Sequence, residues 1–204
     1  MSWIRHSRRT RHAAPAPAQN SLVMAISNND RGWLGSLLAS GADTNAPHRD
    51  TLPLHLASRR GDFDIVDLLI AHGARINERD PAGRTALMVA AQNGEAPEIA
   101  ALLTRGALPD TTDYAGNTAL HHALQSLRFD HLHRLVRAGG NPDKKNHAGI
   151  TARQLCAAEG QHALDVLTQA EKEYAALQRE QAARLQNAVT LLRPPRIGRK
   201  PAGP

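Results

Sequence analysis

Residues 116–122 read Gly116-Asn117-Thr118-Ala119-Leu120-His121-His122, and the fold turns on whether this stretch is a reactive site or one period of a repeat. Two adjacent histidines beside a threonine are residue types suited to a metal or acid/base centre. Comparing the chain with itself gives a different answer. Gly83-Arg84-Thr85-Ala86-Leu87 and Gly149-Ile150-Thr151-Ala152 stand 33 residues before and after it. A second marker, Gly41-Ala42, Gly73-Ala74, Gly106-Ala107 and Gly139-Gly140, recurs at steps of 32, 33 and 33. A period in this range specifies a tandem array of stacked units rather than one wrapped core.

Local chemistry defines each unit. Thr85, Thr118 and Thr151 precede apolar-periodic segments, where a hydroxyl can accept from the first free N–H groups of a helix, so the spacing predicts N-caps there. In the second unit the threonine is displaced to Thr51, Leu52 takes its place and Pro53 occupies the first helical turn, which predicts a helix that starts less firmly. Gly41, Gly73, Gly106 and Gly139 follow Leu37-Leu38, Leu68-Leu69, Leu102-Leu103 and Leu135-Val136; a glycine there takes the left-handed conformation that ends a helix. Each unit is therefore a turn and two short antiparallel helices, whose apolar faces are buried only by neighbouring units.

Pro53-Leu54-His55-Leu56-Ala57 followed by Ile65-Val66-Asp67-Leu68-Leu69-Ile70-Ala71-His72-Gly73-Ala74-Arg75-Ile76-Asn77, with Asp80 and Gly83 and then Asp113 and Gly116 opening the next units, resembles the ankyrin repeat. The resemblance covers about residues 20–167, as four repeats and a shorter fifth: 20–48, 49–79, 80–112, 113–145 and 146–167. It implies an all-α solenoid of helix-turn-helix repeats with β-turn tips. It also implies that function resides on a concave surface made by the tips and the inner face of the first helices. The first repeat is atypical, with Asn20-Ser21-Leu22-Val23-Met24-Ala25 in place of the usual opening and Trp33 where Ile65 lies one repeat later; Arg153 replaces the leucine of Leu54, Leu87 and Leu120 in the fifth. Both departures suit end units, each with one face toward water.

Lys and Arg number 25 against 19 Asp and Glu, a net charge of +6. The excess lies in the tails: Arg5, Arg8, Arg9 and Arg11 in residues 1–20, and Arg193, Arg196, Arg199 and Lys200 in residues 193–204, with no acid in either. Removing those eight leaves 17 cations and 19 anions between them, net −2. Residues 1–19 and 193–204, rich in Ala, Pro and Arg, read as disordered tails with too little apolar surface to offset ordering. No apolar run is long enough to span a bilayer and no h-region follows the N-terminal arginines, which predicts a cytoplasmic protein without a Sec signal. Import into an organelle and delivery of a bacterial effector to a host cell stay open. A single cysteine excludes a disulfide framework within the chain. Cys156 aligns with Ala57, Ala90 and Ala123, which predicts a buried inert thiol.

From Gln161 to Leu192 apolar residues recur at steps of three and four, with Glu171, Lys172, Glu173, Arg179, Glu180 and Arg184 between them. This is an amphipathic helix longer than one repeat helix. Its portion beyond the fifth repeat, 168–192, either caps the array or binds a partner helix. Gln181 and Arg184 interrupt a strict heptad, and the stripe fits a 3.6 period better than a 3.5 one, which favours the cap and a monomer.

His121 aligns with His55, the histidine that the resemblance assigns to buttressing the loops between repeats. His122 falls at the position of Leu56 and Val89. Residues i and i+1 point about 100° apart on a helix, so the pair cannot easily hold one ion; His131 and His133 are the only further candidates nearby, and structural roles are expected for all four. No nucleophile elbow, phosphate-binding glycine loop, paired Cys-x-x-Cys or H-E-x-x-H occurs. Neither catalysis nor a cofactor is expected.

What remains is binding. By phase, the tip and inner-helix positions that the repeat leaves free include Arg49, Arg59, Arg60, Arg84, Gln92, Asn93, Tyr114, Asn117, Gln125 and His147. Tyr114 is one of two tyrosines, and aromatic and arginine side chains dominate interface energetics. The spacing between Gly41 and Leu54 is one residue shorter than between Gly73 and Leu87, and Asp50 replaces the turn glycine, so the second tip is expected to protrude differently. Arg49, Arg59, Arg60 and Arg84 together would form a positive patch suited to an acidic partner. These residues point to a non-enzymatic adaptor, scaffold or inhibitor that recognises another protein. The alternative is electrostatic attachment of the basic tails to nucleic acid or an anionic membrane, which would weaken steeply with salt.

Overall fold

The computed structural model describes the backbone of residues 18–191 and the side chains of 21–186; the C-terminal tail assigned from sequence and residues 1–17 of the N-terminal one lie outside these limits, while Ala18 and Gln19, assigned to that tail, begin the first helix. Among the described residues there are ten helices and no strand, only the isolated bridges His48–Thr51 and Lys145–Thr151. The helices pair as α1 (Ala18–Ser27) with α2 (Arg31–Ala39), α3 (Pro53–Arg60) with α4 (Phe63–Ala71), α5 (Ala86–Asn93) with α6 (Ala96–Thr104), α7 (Ala119–Gln125) with α8 (Phe129–Arg137), and α9 (Ala152–Glu159) with α10 (Gln161–Leu191). The first helices pack in the order α1, α3, α5, α7, α9, and behind them α4, α6, α8 and α10 pack in turn. Arg31 on α2 reaches Asp62 and Asp64 at the start of α4.

Each of the first four pairs is closed by the anticipated glycine. Gly41, Gly73, Gly106 and Gly139 have φ of 87°, 88°, 95° and 93°. At Gly73, the Gly73 amide donates to Ile70 O and the Ala74 amide to Leu69 O, each at 3.0 Å, the paired bonds that satisfy the last carbonyls of a helix. Asparagines then sew one repeat to the next: Asn45 Nδ2 donates to Gly73 O at 3.0 Å while its Oδ1 accepts from the Arg75 amide at 2.8 Å, and Asn77 does the same at Gly106 and Leu108.

The core is a continuous row of Leu, Ile, Val and Ala contributed by every repeat, from Leu22 and Ile26 through Leu54, Ile65, Leu87, Ile99, Leu120 and Leu132 to Leu167 and Ala170. At the start of the row Met24 and Trp33 are exposed, whereas Leu56 and Ile65, their equivalents one repeat later, are buried. At its end Cys156 is buried, as anticipated, and burial pushes its thiol up to about 11. Arg153, the residue in place of the repeat leucine, pairs with Asp143 and with Glu171 of α10.

One helix, α10, runs without a break across residues 167 and 168, where the sequence reading placed a boundary. Its first half is built into the stack: Ala163, Leu167 and Ala170 are fully buried, Glu171 holds Arg153, and Glu173 lies 3.3 Å from His133 and 3.2 Å from Arg137. Residues 176–186 are all exposed. The helix thus caps the array and then continues beyond it.

Candidate functional site

The tips are β-turns whose geometry follows from their residues. In the third repeat the Asp80 amide donates to Arg84 O at 2.9 Å around Pro81, Ala82 and Gly83, with Gly83 at φ 79°. The Asp80 carboxylate fills the turn, accepting from the amides of Ala82 and Arg84 at 2.9 and 2.8 Å. Asp113 repeats this with Ala115 and Asn117, and Asn146 with Ala148 and Ile150. Burial alone would raise the carboxyls of Asp80 and Asp113, but the hydrogen bonds they accept hold both below the usual carboxylate range.

Successive tips are laced to one another. The Tyr114 amide donates to Ala82 O at 3.2 Å and the His147 amide to Ala115 O at 3.0 Å. The turn glycines permit this approach: a Cβ on Gly83 would stand 2.7 Å from Tyr114 Cδ1, and one on Gly116 2.6 Å from the His147 nitrogen. Between the second and third tips the equivalent donor is Pro81, which has no N–H.

Here the second repeat departs from the others. Its tip is a two-residue turn, with amide–carbonyl bonds in both directions between His48 and Thr51 at 2.9 and 3.0 Å. Both central residues, Arg49 and Asp50, have positive φ, 47° and 63°. This is the turn that favours Asn-Gly, and left-handed backbone costs a non-glycine residue about 1–2 kcal/mol. Leu52 supplies no cap to α3, a loss of about 1 kcal/mol against a capping threonine.

Between this tip and the third lies a cleft of about 230 Å³ whose lining includes Arg49, Thr51, Arg59, Asp80, Pro81 and Arg84. Of the four arginines expected as one patch, Arg49, Arg59 and Arg84 line this cleft. Arg60 lies instead beside Arg31, Asp62 and Asp64, around the loop that joins α3 to α4. Arg84 is clamped on Asp80, Nε to Oδ2 at 2.8 Å and a terminal nitrogen at 2.7 Å. Arg49 and Arg59 are exposed and carry no hydrogen-bond or ion-pair partner among the described residues.

Of the remaining binding candidates, Tyr114 is 67 % exposed at its tip, and Asn93, Gln125 and His147 are exposed while Gln92 is half-buried. The expectation that the scaffold uses none of these side chains is amended at Arg84 and at Asn117, whose Oδ1 accepts from Asn146 Nδ2 at 2.9 Å to link two turns. Asp80, which commits Arg84, was missed from sequence; an acid four residues before an arginine across a turn is the signal for it.

The histidines of the opening stretch each have a partner within the array. Nε2–H of His121 donates to Ile150 O at 3.1 Å, and that of His122 to Asp113 Oδ2 at 3.0 Å. Burial holds His122 below the ordinary histidine value, with the Asp113 bond opposing. His131 meets Ala91 O at 3.1 Å, and His133 meets Glu173. No group of three or more His, Cys, Asp or Glu among the described residues could hold a metal ion, and no described helix is long and apolar enough to cross a membrane.

The family profile for ankyrin repeats, three copies in length, matches residues 22–113 and again 54–146. The chain belongs to the ankyrin-repeat family. Among curated proteins, this ankyrin-repeat chain is 41 % identical over 70 residues to zygote-specific protein 3 of Chlamydomonas reinhardtii, covering 34 % of the chain and 19 % of that protein. It is 40 % identical over 74 residues to the mouse 2-5A-dependent ribonuclease, 35 % of the chain and 10 % of the ribonuclease. To mouse Rabankyrin-5 it is 32 % identical over 103 residues, 43 % of the chain and 9 % of Rabankyrin-5. The chain thus spans a fifth or less of the length of these relatives. Ankyrin repeats are in general protein–protein interaction modules and typically non-catalytic.

Proposed function

We propose that this ankyrin-repeat protein is a non-enzymatic adaptor, scaffold or inhibitor that binds another protein through the tips and the adjoining first-helix faces of its second to fifth repeats. The observation that carries the reading is the division of labour along that surface. The backbone of each tip from the third to the fifth is fixed by turn and lacing bonds, while Tyr114, Arg49, Arg59, Gln125 and His147 project from it exposed. Rigid elements presenting unspent aromatic and arginine side chains lose little entropy on binding. Affinity capture from the source cell's lysate tests the proposal, with the full chain compared against Arg59→Glu/Tyr114→Ala. The expected result is a protein retained by the parent and lost by the variant, both giving the same circular dichroism and melting curve; equal retention by the two would overturn it.

A further inference from the structure

The second repeat, with the third tip beside it, departs in four ways from the fourth repeat of the same chain, and the departures surround one cleft. Its tip is one residue short and drives Arg49 and Asp50 into left-handed backbone. Leu52 stands where Thr85, Thr118 and Thr151 stand later, so α3 has no side-chain cap. His55 is left with a buried Nδ1 that has no partner, whereas the Nδ1 of His121 accepts from Thr118. Pro81 withholds the amide that laces the later tips together, and there the cleft opens. Departures that each cost stability persist where they serve a site.

The side chains in the cleft specify its occupant. Arg84 is spent on Asp80, and Asp80 is filled by that guanidinium and two amides. Arg49 and Arg59, from the tip and from the last turn of α3, and the Thr51 hydroxyl are donors with no partner among the described residues. Burial keeps His55 low, so it adds no charge of its own at neutral pH. The unspent groups are thus two cations, a hydroxyl and the exposed carboxylate of Asp50, a net positive set that matches a single carboxylate. Asp50, the one exposed acid lining the cleft, disfavours a doubly charged phosphate more than a singly charged carboxylate.

We propose that the cleft between the second and third tips is a recognition pocket for an aspartate or glutamate side chain on an extended segment of the protein partner, its carboxylate shared by Arg49 and Arg59. This rests on the binding face proposed above and names the chemistry of its partner.

The test is a titration of the ¹⁵N-labelled full chain with the capped peptide Ala-Ala-Glu-Ala-Ala, its Gln counterpart and inorganic phosphate, each at millimolar concentration. The glutamate peptide is expected to shift the Arg49 and Thr51 amides and the Arg59 guanidinium Nε–H. The Gln peptide is expected to leave them in place, and Arg49→Gln/Arg59→Gln to weaken the response about tenfold or more while leaving the rest of the spectrum unchanged. Absence of these shifts, equal shifts from the Gln peptide, or stronger binding of phosphate than of the glutamate peptide would overturn the proposal. Partner capture separates the two levels: retention by Arg49→Gln/Arg59→Gln with loss by Tyr114→Ala would remove the carboxylate pocket and leave the broader binding face standing, and retention by both would remove each.

Discussion

The imidazole of His121 bridges two repeats: its Nε2–H donates to Ile150 O at 3.1 Å while its Nδ1 accepts from the Thr118 amide at 3.2 Å. Because the Thr118 N–H needs a lone pair, the tautomer is fixed with the proton on Nε2. One ring thereby caps its own helix and holds the next tip. His55 makes the bond to the next tip, its Nε2–H donating to Arg84 O at 2.8 Å, but Leu52 precedes its helix and the ring's Nδ1 has no partner.

Leu52→Thr is therefore expected to stabilise the protein. The hydroxyl restores a cap and gives the buried nitrogen a donor, together worth about 1–2 kcal/mol. Urea unfolding followed by circular dichroism checks it: the midpoint should rise with an unchanged slope, and an unchanged or lower midpoint would count against the contrast drawn between the two histidines.

Turn glycines should differ in their tolerance of a methyl group. Gly116 and Gly149 share φ near 80°, 81° and 76°, so Ala is strained at both. At Gly116 the new Cβ would also strike the His147 backbone at 2.6 Å, while at Gly149 nothing lies within 4 Å. Gly116→Ala is expected to cost about 1–3 kcal/mol more than Gly149→Ala in the same unfolding assay.

Glu98 should make stability depend on pH. It occupies the phase of Ile65, fully buried, with Ser58 of α3, Asp62 of α4 and Glu95 facing it. Burial is the main cause that pushes it up to about 8 from an ordinary 4.5, with the acids adding and bonds from Ser58 and the Glu95 backbone opposing. A group that prefers its protonated form in the fold contributes least penalty below about pH 4.5 and destabilises progressively as pH rises toward 8, by up to about 1.4 kcal/mol per unit. Relative to the parent, Glu98→Gln and Glu98→Ile should therefore gain more stability at pH 8 than at pH 5. An equal gain at both would mean that the carboxyl titrates normally.

Shortening α10 should reveal where capping ends. A chain ending after residue 176 keeps Ala170, Glu171, Glu173 and Tyr174, and its stability is expected within about 0.5 kcal/mol of the parent. Ending after residue 167 removes a buried alanine and the partners of Arg153, His133 and Arg137, and is expected to cost about 2 kcal/mol or more. Thermal melts of the two chains check the contrast.

Much of this was legible because it is local. The glycine markers set the helix ends, and the aligned histidines declared themselves structural as soon as the period was found, since each bond links residues at a fixed offset. Thr85 shows the limit of that logic: it stands at the N-terminus of α5, yet its hydroxyl is buried without a partner, whereas the Thr118 hydroxyl meets His121 Nδ1 and the Thr151 hydroxyl accepts from the Gln154 amide. Glu98 had a signal too, a charged residue in the phase of Ile65. What the sequence left open depended on contacts between repeats. Whether Arg84 is free is decided by the shape of its turn, and the opening beside Pro81 by an amide missing from the neighbouring tip. The length of α10 was readable from its period, but where it leaves the stack follows from the reach of α8 and α9.

The central claim is that the tips meet the partner, and contact mapping tests it most directly. Benzoylphenylalanine placed at position 114, at position 134 on the exposed side of α8, or at position 177 of α10 would be irradiated in the full chain within the source cell's lysate. The account predicts one covalent adduct from position 114 and none from 134 or 177. An adduct from 177 alone would assign recognition to the projecting helix, and one from 134 alone to the outer helices; either would contradict it.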